Sequence, residues 1–202
     1  MAITWLLTAE DLEELGSDAK RFELYDGVLW EKGAMGQQHG EIEIEISSAL
    51  HVHVRANRLG RVYPSDTHFI LYRNPDKVVM PDVSFVRTDR VPPESERIGF
   101  APFAPDFVVE VVSPSDRIVE VIEKVRLYER DGIPLIWLVQ PRTRSVTVYT
   151  SGTEPRTLHE GDVLDGGDVI PGFQLAVADI FRYPFMSNVR QKRTMPWSPG
   201  GS

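Results

Sequence analysis

The stretch Asp106–Val112, DFVVEVV, constrains the fold more than any other part of this chain. It lacks the polar alternation of a half-exposed strand and reads as a strand covered on both faces, as in α/β sheets flanked by helices. Glu110 nevertheless sits in its middle. A buried carboxylate without a partner is costly enough that it shifts its pKa or acquires one. Val78–Val86, VVMPDVSFV, repeats the pattern with Asp82 embedded. Two acids on neighbouring buried strands suggest a shared partner, and a hard divalent cation is the natural one. The plainer alternative stays open: each acid pairs with an arginine or lysine, or faces water at a strand end.

The surrounding pattern supports an α/β domain. Thr8 with Asp11 three residues on marks the start of a short helix reaching Leu15. In RFELYDGVLWEKG, apolar residues alternate around Asp26-Gly27, the signature of a tight hairpin. From His39 to Asn57 the apolar positions recur at helical spacing, although Ile-Glu-Ile-Glu-Ile within it also alternates like a strand; the length favours a helix. Strands are expected at Arg61–Tyr63, Thr67–Tyr72 and Val78–Val86, then a proline-rich loop from Val91 to Pro105 before Asp106–Val112. A helix from about Arg117 to Arg130 stops at Asp131-Gly132, and strands follow at Pro134–Gln140 and Ser145–Thr150. Phe173, Leu175, Val177 and Ile180 can dock a last short segment. The order predicts a mixed central sheet flanked by helices. One domain over residues 1–185 is expected, with 186–202, rich in Pro, Gly and Ser near its end, as a disordered tail.

Composition narrows the chemistry. The chain has no cysteine, which excludes disulfides, thiolate metal sites and a cysteine nucleophile. The N-terminal MAITWLLTAEDLEEL lacks the basic flank and small-residue cleavage site of a signal peptide, and no apolar run approaches the roughly 18 residues of a membrane span. A soluble, cytoplasmic protein is expected. The net charge of -8 sits awkwardly with a grip on phosphate backbones, which calls for a basic stripe. Arg87, Arg90, Arg117 and Lys124 are the candidates to supply one.

Lys124 lies two turns into the helix after Glu110, beside an apolar face formed by Ile118, Val121, Ile122, Val125 and Tyr128. Its amine can curl back towards the sheet. A helical lysine is more often a solvated surface charge, so its claim rests on its company. His51 and His53 stand two apart and make a poor metal pair on a helix. Ser113 and Ser115 lack a nucleophile elbow, and no glycine-rich phosphate loop is present.

LTAEDLEEL, RFELYDG, HGEIEIEISSAL, VVMPDVSFV, PDFVVEVVSPSD and EKVRLYERDGIPLIWLV, in this order, resemble the Uma-type restriction endonuclease family of the PD-(D/E)XK nuclease superfamily. The resemblance implies a restriction-endonuclease-like core of four mixed strands, with metal-binding acids on its second and third strands. Pro81-Asp82 matches the opening dipeptide and Glu110 the following acid, but Val112 stands where the superfamily carries its lysine. In Uma-type proteins that lysine has moved to the next helix, where Lys124 aligns. The implied catalytic set is Asp82, Glu110 and Lys124, with Glu23 and His39 as further candidates; Glu23 can equally cap a hairpin and His39 simply begin a helix. The implied cofactor is Mg²⁺, replaceable by Mn²⁺, held by Asp82, Glu110 and the carbonyl of Val111. DNA is the implied substrate and a homodimer one candidate assembly. Two rival functions remain: an inactive nuclease-fold module that binds nucleic acid or protein, and a metal-dependent hydrolase of small phosphoesters. If Asp82 and Glu110 repel each other in the metal-free protein, Asp82→Asn should stabilise it.

Overall fold

A computed structural model of the chain describes residues 5–33, 35–114 and 116–182. The whole of the expected tail, residues 186–202, therefore lies outside the described residues. Six strands form the central sheet: β3 (Gly60–Pro64), β6 (Val83–Arg87), β7 (Phe107–Val111), β8 (Leu135–Gln140), β9 (Ser145–Thr150) and β10 (Arg156–His159). They run in the spatial order β10-β9-β8-β7-β6-β3. Only β7 and β8 pair in parallel, with Glu110 opposite Leu138, and helix α3 (Ile118–Arg130) makes the crossover between them. The sheet is mixed and flanked by helices, as the sequence predicts, and contains two strands more than the implied four.

Both faces of β7 are covered. Phe107, Val109 and Val111 pack with Trp137 and Val139 beneath helix α2 (Gln37–Asn57), through Ile42, Ile46, Leu50 and Val54. Val108, Ile136 and Leu138 pack on the opposite side against Val125, Leu127 and Tyr128 of α3. The ambiguity within α2 is settled by burial. Strand alternation would put Ile42, Ile44 and Ile46 on one face, yet Ile44 is 59% exposed while Ile42 and Ile46 are 3% and 0%. The stripe that recurs at three and four residues wins because it meets the sheet along the whole helix.

A second, antiparallel sheet has the order β2-β1-β5-β4, built from β1 (Phe22–Tyr25), β2 (Val28–Glu31), β4 (Phe69–Tyr72) and β5 (Lys77–Val79). Tyr25 pairs with Val28, so only Asp26 and Gly27 turn the hairpin, with φ of 51° and 76°. Both angles suit the left-handed turn whose twist matches the strands. The N-terminal helix α1 (Ala9–Glu13) carries the expected capping box between Thr8 and Asp11.

Val78–Val86 departs from expectation. It is two strands in two different sheets, interrupted at Met80–Asp82. Pro81 has no amide hydrogen to donate to a ladder, so the chain leaves one sheet there and enters the other. Asp82 consequently sits in the break, immediately before β6. Three strands escaped the sequence reading: β10, β11 (Val163–Asp165) and β12 (Gln174–Ala176), the last leading into helix α4 (Val177–Phe181). No described helix is long and apolar enough to cross a membrane.

Candidate active site

The break at Pro81 is where the two sheets meet, and it gathers side chains from five parts of the chain. Val83 pairs with Val109, so continuing the antiparallel register by one residue sets Asp82 against Glu110. The β1–β2 hairpin contributes Glu23 and Tyr25, with Lys32 just beyond β2; the first turn of α2 contributes His39; α3 contributes Lys124. Except for Tyr128, which stands behind Glu110, these side chains line one cavity of about 410 Å³, with Val111 in the same wall.

Lys124 is not solvated. Its side chain is 13% exposed, and Nζ lies 2.9 Å from both Glu23 Oε1 and Glu110 Oε1. Tyr128, one helical turn on, shares its stripe and donates its hydroxyl to Glu110 Oε1 at 2.6 Å. Tyr25, on the same face of β1 as Glu23, donates to Glu23 Oε2 at 2.7 Å. The Met80 amide donates to Glu23 Oε1 at 2.6 Å. The hairpin acid is thus held from three directions, where a capping role had been an equal expectation.

The second half of the site surrounds Asp82. Its Oδ2 accepts the Val111 amide at 2.7 Å and lies 3.2 Å from His39 Nε2. The histidine contact is close but misaligned, so it is an electrostatic approach and no hydrogen bond; neither His39 ring nitrogen has a hydrogen-bond partner among the described residues. Lys32 donates to the Met80 carbonyl at 2.8 Å and stands 3.5 Å from Asp82 Oδ1.

These surroundings split the carboxylates. Burial opposes ionisation of all three. At Asp82 the His39 contact and the charge of Lys32 outweigh it, and the pKa falls to about 2. At Glu23 the charges of Lys124 and Lys32, with the Met80 amide, also prevail and hold it below the ordinary carboxylate value. At Glu110 burial wins, helped by the negative charges of Asp82 and Glu23, and the pKa rises to about 7 despite Lys124. The contrast follows from the bonding: both partners of Glu110 converge on Oε1, whereas donors reach both oxygens of Glu23. Burial disfavours the Lys124 ammonium, but Glu110 and Glu23 keep it protonated far above the usual lysine range. In the metal-free protein Lys124 is therefore held as a cation. His39 is raised as well: burial works against its charge, and Asp82 more than offsets this. The Asp82 anion is stabilised, and its charge is one of the causes that raise Glu110.

The donor set suits a hard divalent cation. Glu110 Oε2 has no hydrogen bond among the described residues, and Asp82 Oδ1 has only the 3.5 Å approach of Lys32. When Glu110 ionises alongside Glu23 and Asp82 and His39 is neutral, three carboxylates face the ammonium groups of Lys32 and Lys124, and a cation would relieve the excess. No three described His, Asp or Glu side chains converge as a complete cage. A Mg²⁺-like ion needs only one or two carboxylates and completes its shell with water.

The phosphate-gripping arginines fare differently. Arg87 and Arg90 bond to buried Asp106, and Arg87 ends β6 opposite the end that Asp82 begins. Arg117 pairs with Glu120 at the surface. The basic groups lining the cavity are Lys32, Lys124 and Arg130, amid more numerous acids. Sequence reasoning missed Tyr25, Tyr128 and Lys32. The tyrosines were readable, standing two residues from Glu23 on a strand and four from Lys124 on a helix. Lys32 carried no local signal, because its partners lie 48 and 50 residues away.

Comparison with known proteins agrees with this architecture. A crystal structure described as a "putative nuclease belonging to DUF820", from Anabaena variabilis, shares the fold with a TM-score of 0.74 and 22% identity, covering 87% of this chain and 97% of that one. No curated protein matches. The profile of the Uma2 family, described as "Putative restriction endonuclease", matches residues 9–178. The helix-borne lysine, the Pro-Asp break and the strand acid all fall within that match, and the chain belongs to the Uma2 family.

Proposed function

We propose that this chain is a divalent-metal-dependent endonuclease hydrolysing DNA phosphodiester bonds, with Mg²⁺ or its substitute Mn²⁺ held by Asp82, Glu110 and the carbonyl of Val111. The observation that carries the reading is the contact of Lys124 Nζ with Glu110 at 2.9 Å in the cavity that Asp82 shares. Lysine and acid, carried on different elements, stand side by side where both can face one phosphate.

When bound, the metal polarises the phosphate and lowers the pKa of a water molecule. The remaining work falls to the chain. Lys124 offers its ammonium to a phosphate oxygen, stabilising the charge that develops there. Glu23 holds that ammonium from the hairpin side, and Tyr25 fixes the carboxylate of Glu23. Tyr128 fixes Glu110 and leaves its second oxygen towards the cavity. The Val111 amide holds Asp82 in place, and His39 and Lys32 keep it ionised.

An inactive binding module is favoured by one observation: Arg87 and Arg90 are engaged by Asp106, leaving few cations beside an acid-rich cavity. Single-turnover cleavage of plasmid and single-stranded DNA, with Mg²⁺ and with Mn²⁺, decides between the two. The nuclease reading expects metal-dependent cleavage by the wild type and a loss of ~10²-fold or more in Asp82→Asn. Absence of wild-type cleavage under all four conditions overturns the endonuclease reading and makes the binding module the better one.

A further inference from the structure

Among the described residues, His39 alone combines a place in the cavity wall with two buried ring nitrogens that make no hydrogen bond. It is 7% exposed, and an unsatisfied buried polar atom costs about 1–3 kcal/mol. The histidine is not loosely placed. It opens the buried stripe of α2 that continues through Ile42 and Ile46, so its backbone is fixed by the packing of the helix on the sheet. Its Nε2 lies 3.2 Å from Asp82 Oδ2, too misaligned for a hydrogen bond. Two donors each ~2.1 Å from one ion, at nearly a right angle, stand ~3 Å apart. The separation that makes a poor hydrogen bond is the edge length of a coordination polyhedron. Asp82 Oδ2 keeps a lone pair for such an ion while accepting the Val111 amide, which locks the carboxylate towards the histidine.

We infer that His39 ligates the cation through Nε2 beside Asp82, the two side chains forming one edge of its shell with water in place of a third converging side chain, and that this nitrogen donor makes the site prefer first-row transition ions to Mg²⁺. The inference rests on the metal-dependent reading above and specifies the metal. Imidazole binds transition ions better than Mg²⁺, which favours oxygen ligands and retains its water. His39 is then more than a helix-opening residue.

The test uses the full chain with histidine labelled with ¹⁵N and loaded with Mn²⁺, read by pulsed electron paramagnetic resonance, together with calorimetric titration of Mn²⁺ and Mg²⁺. The expected result is a histidine-nitrogen coupling to Mn²⁺ in the wild type that disappears in His39→Asn. In that variant Mn²⁺ affinity should fall about tenfold or more, while Mg²⁺ affinity changes far less. Retained Mg²⁺ binding shows that the variant is folded, and the coupling in the wild type needs no variant at all. Bound Mn²⁺ without a histidine coupling overturns the role of His39 and leaves the metal-dependent reading standing. Failure of both ions to bind the wild type overturns that reading, and the inference with it.

Discussion

Asp106 and Glu110 stand four residues apart on one segment, DFVVEVV, and both are buried, yet they have opposite characters. Asp106, 1% exposed, receives the Arg87 amide at 2.8 Å, Arg87 Nε at 3.2 Å and Arg90 Nη1 at 2.7 Å. Both its oxygens are engaged, and the arginines that reach it are half-exposed and leave its cost covered. Glu110, 8% exposed, has both partners on one oxygen, and burial pushes its pKa up to about 7. One acid ties a loop to a strand end; the other retains unused acceptor capacity beside a cavity. Burial of an acid in an apolar strand is therefore no sign of function by itself. Incomplete pairing of that acid, next to space, is the better sign.

The largest effect that can break this contrast comes from Lys124, the cation that Glu110 shares with Glu23. Lys124→Ala leaves two buried carboxylates without their common partner and should destabilise the protein by about 3–5 kcal/mol, measured by denaturant unfolding. On the nuclease reading it also lowers the cleavage rate by ~10²–10³. A solvated lysine would alter stability by only about 0.5 kcal/mol, and that result would mean the Glu23–Lys124–Glu110 bridge does not exist in solution.

The bridge shows how far the sequence could be read. Local signals carried what local physics decides: the Thr8–Asp11 cap, the Asp26-Gly27 turn, the α2 stripe and the stop at Gly132, whose φ is 77°. DFVVEVV was legible as a doubly covered strand with a misplaced acid. What failed depended on distant pairing. The proline that interrupts Val78–Val86 was visible, but the existence of a second sheet to receive β5 was not. The missed β10 and β11 are short and largely exposed, with Leu164 as the single buried residue of β11, so they lack the apolar pattern that marks a strand. The pairing of Arg87 and Arg90 with Asp106 was likewise invisible, because nothing local marks a partner 19 and 16 residues away.

That claim gives the next measurement. Asp106→Ala removes the acceptor of one backbone amide and two arginines. Because Arg87 and Arg90 can turn to water, the expected loss lies at the lower end for a broken buried ion pair, about 2–3 kcal/mol. Cleavage rate and metal affinity, measured on folded protein, should match the wild type. A loss of metal affinity equal to that of Asp82→Asn would mean the two ends of β7 are not separate, and the contrast between its acids would collapse.

The smallest effect is expected at Glu110, with the opposite sign. A rise from 4.5 to about 7 corresponds to ~3 kcal/mol of strain on the ionised form. In metal-free buffer the folded protein holds this proton between about pH 4.5 and 7 while the unfolded chain has released it. Stability contributed by this group is therefore full below pH 4.5, falls as pH rises, and is lost above about 7. Glu110→Gln removes the charge but also one of the two carboxylates that hold Lys124, so only part of the strain is recovered. A net gain of ~1 kcal/mol at pH 8 is expected, with a flatter stability profile between pH 4.5 and 7 than the wild type. Denaturant unfolding across that range, without divalent ions, measures both quantities. A loss of 2 kcal/mol or more at pH 8, approximating the expected cost of Asp106→Ala, would show that Glu110 is as completely paired as Asp106. The distinction between a structural acid and a functional one on this strand would then have no electrostatic basis.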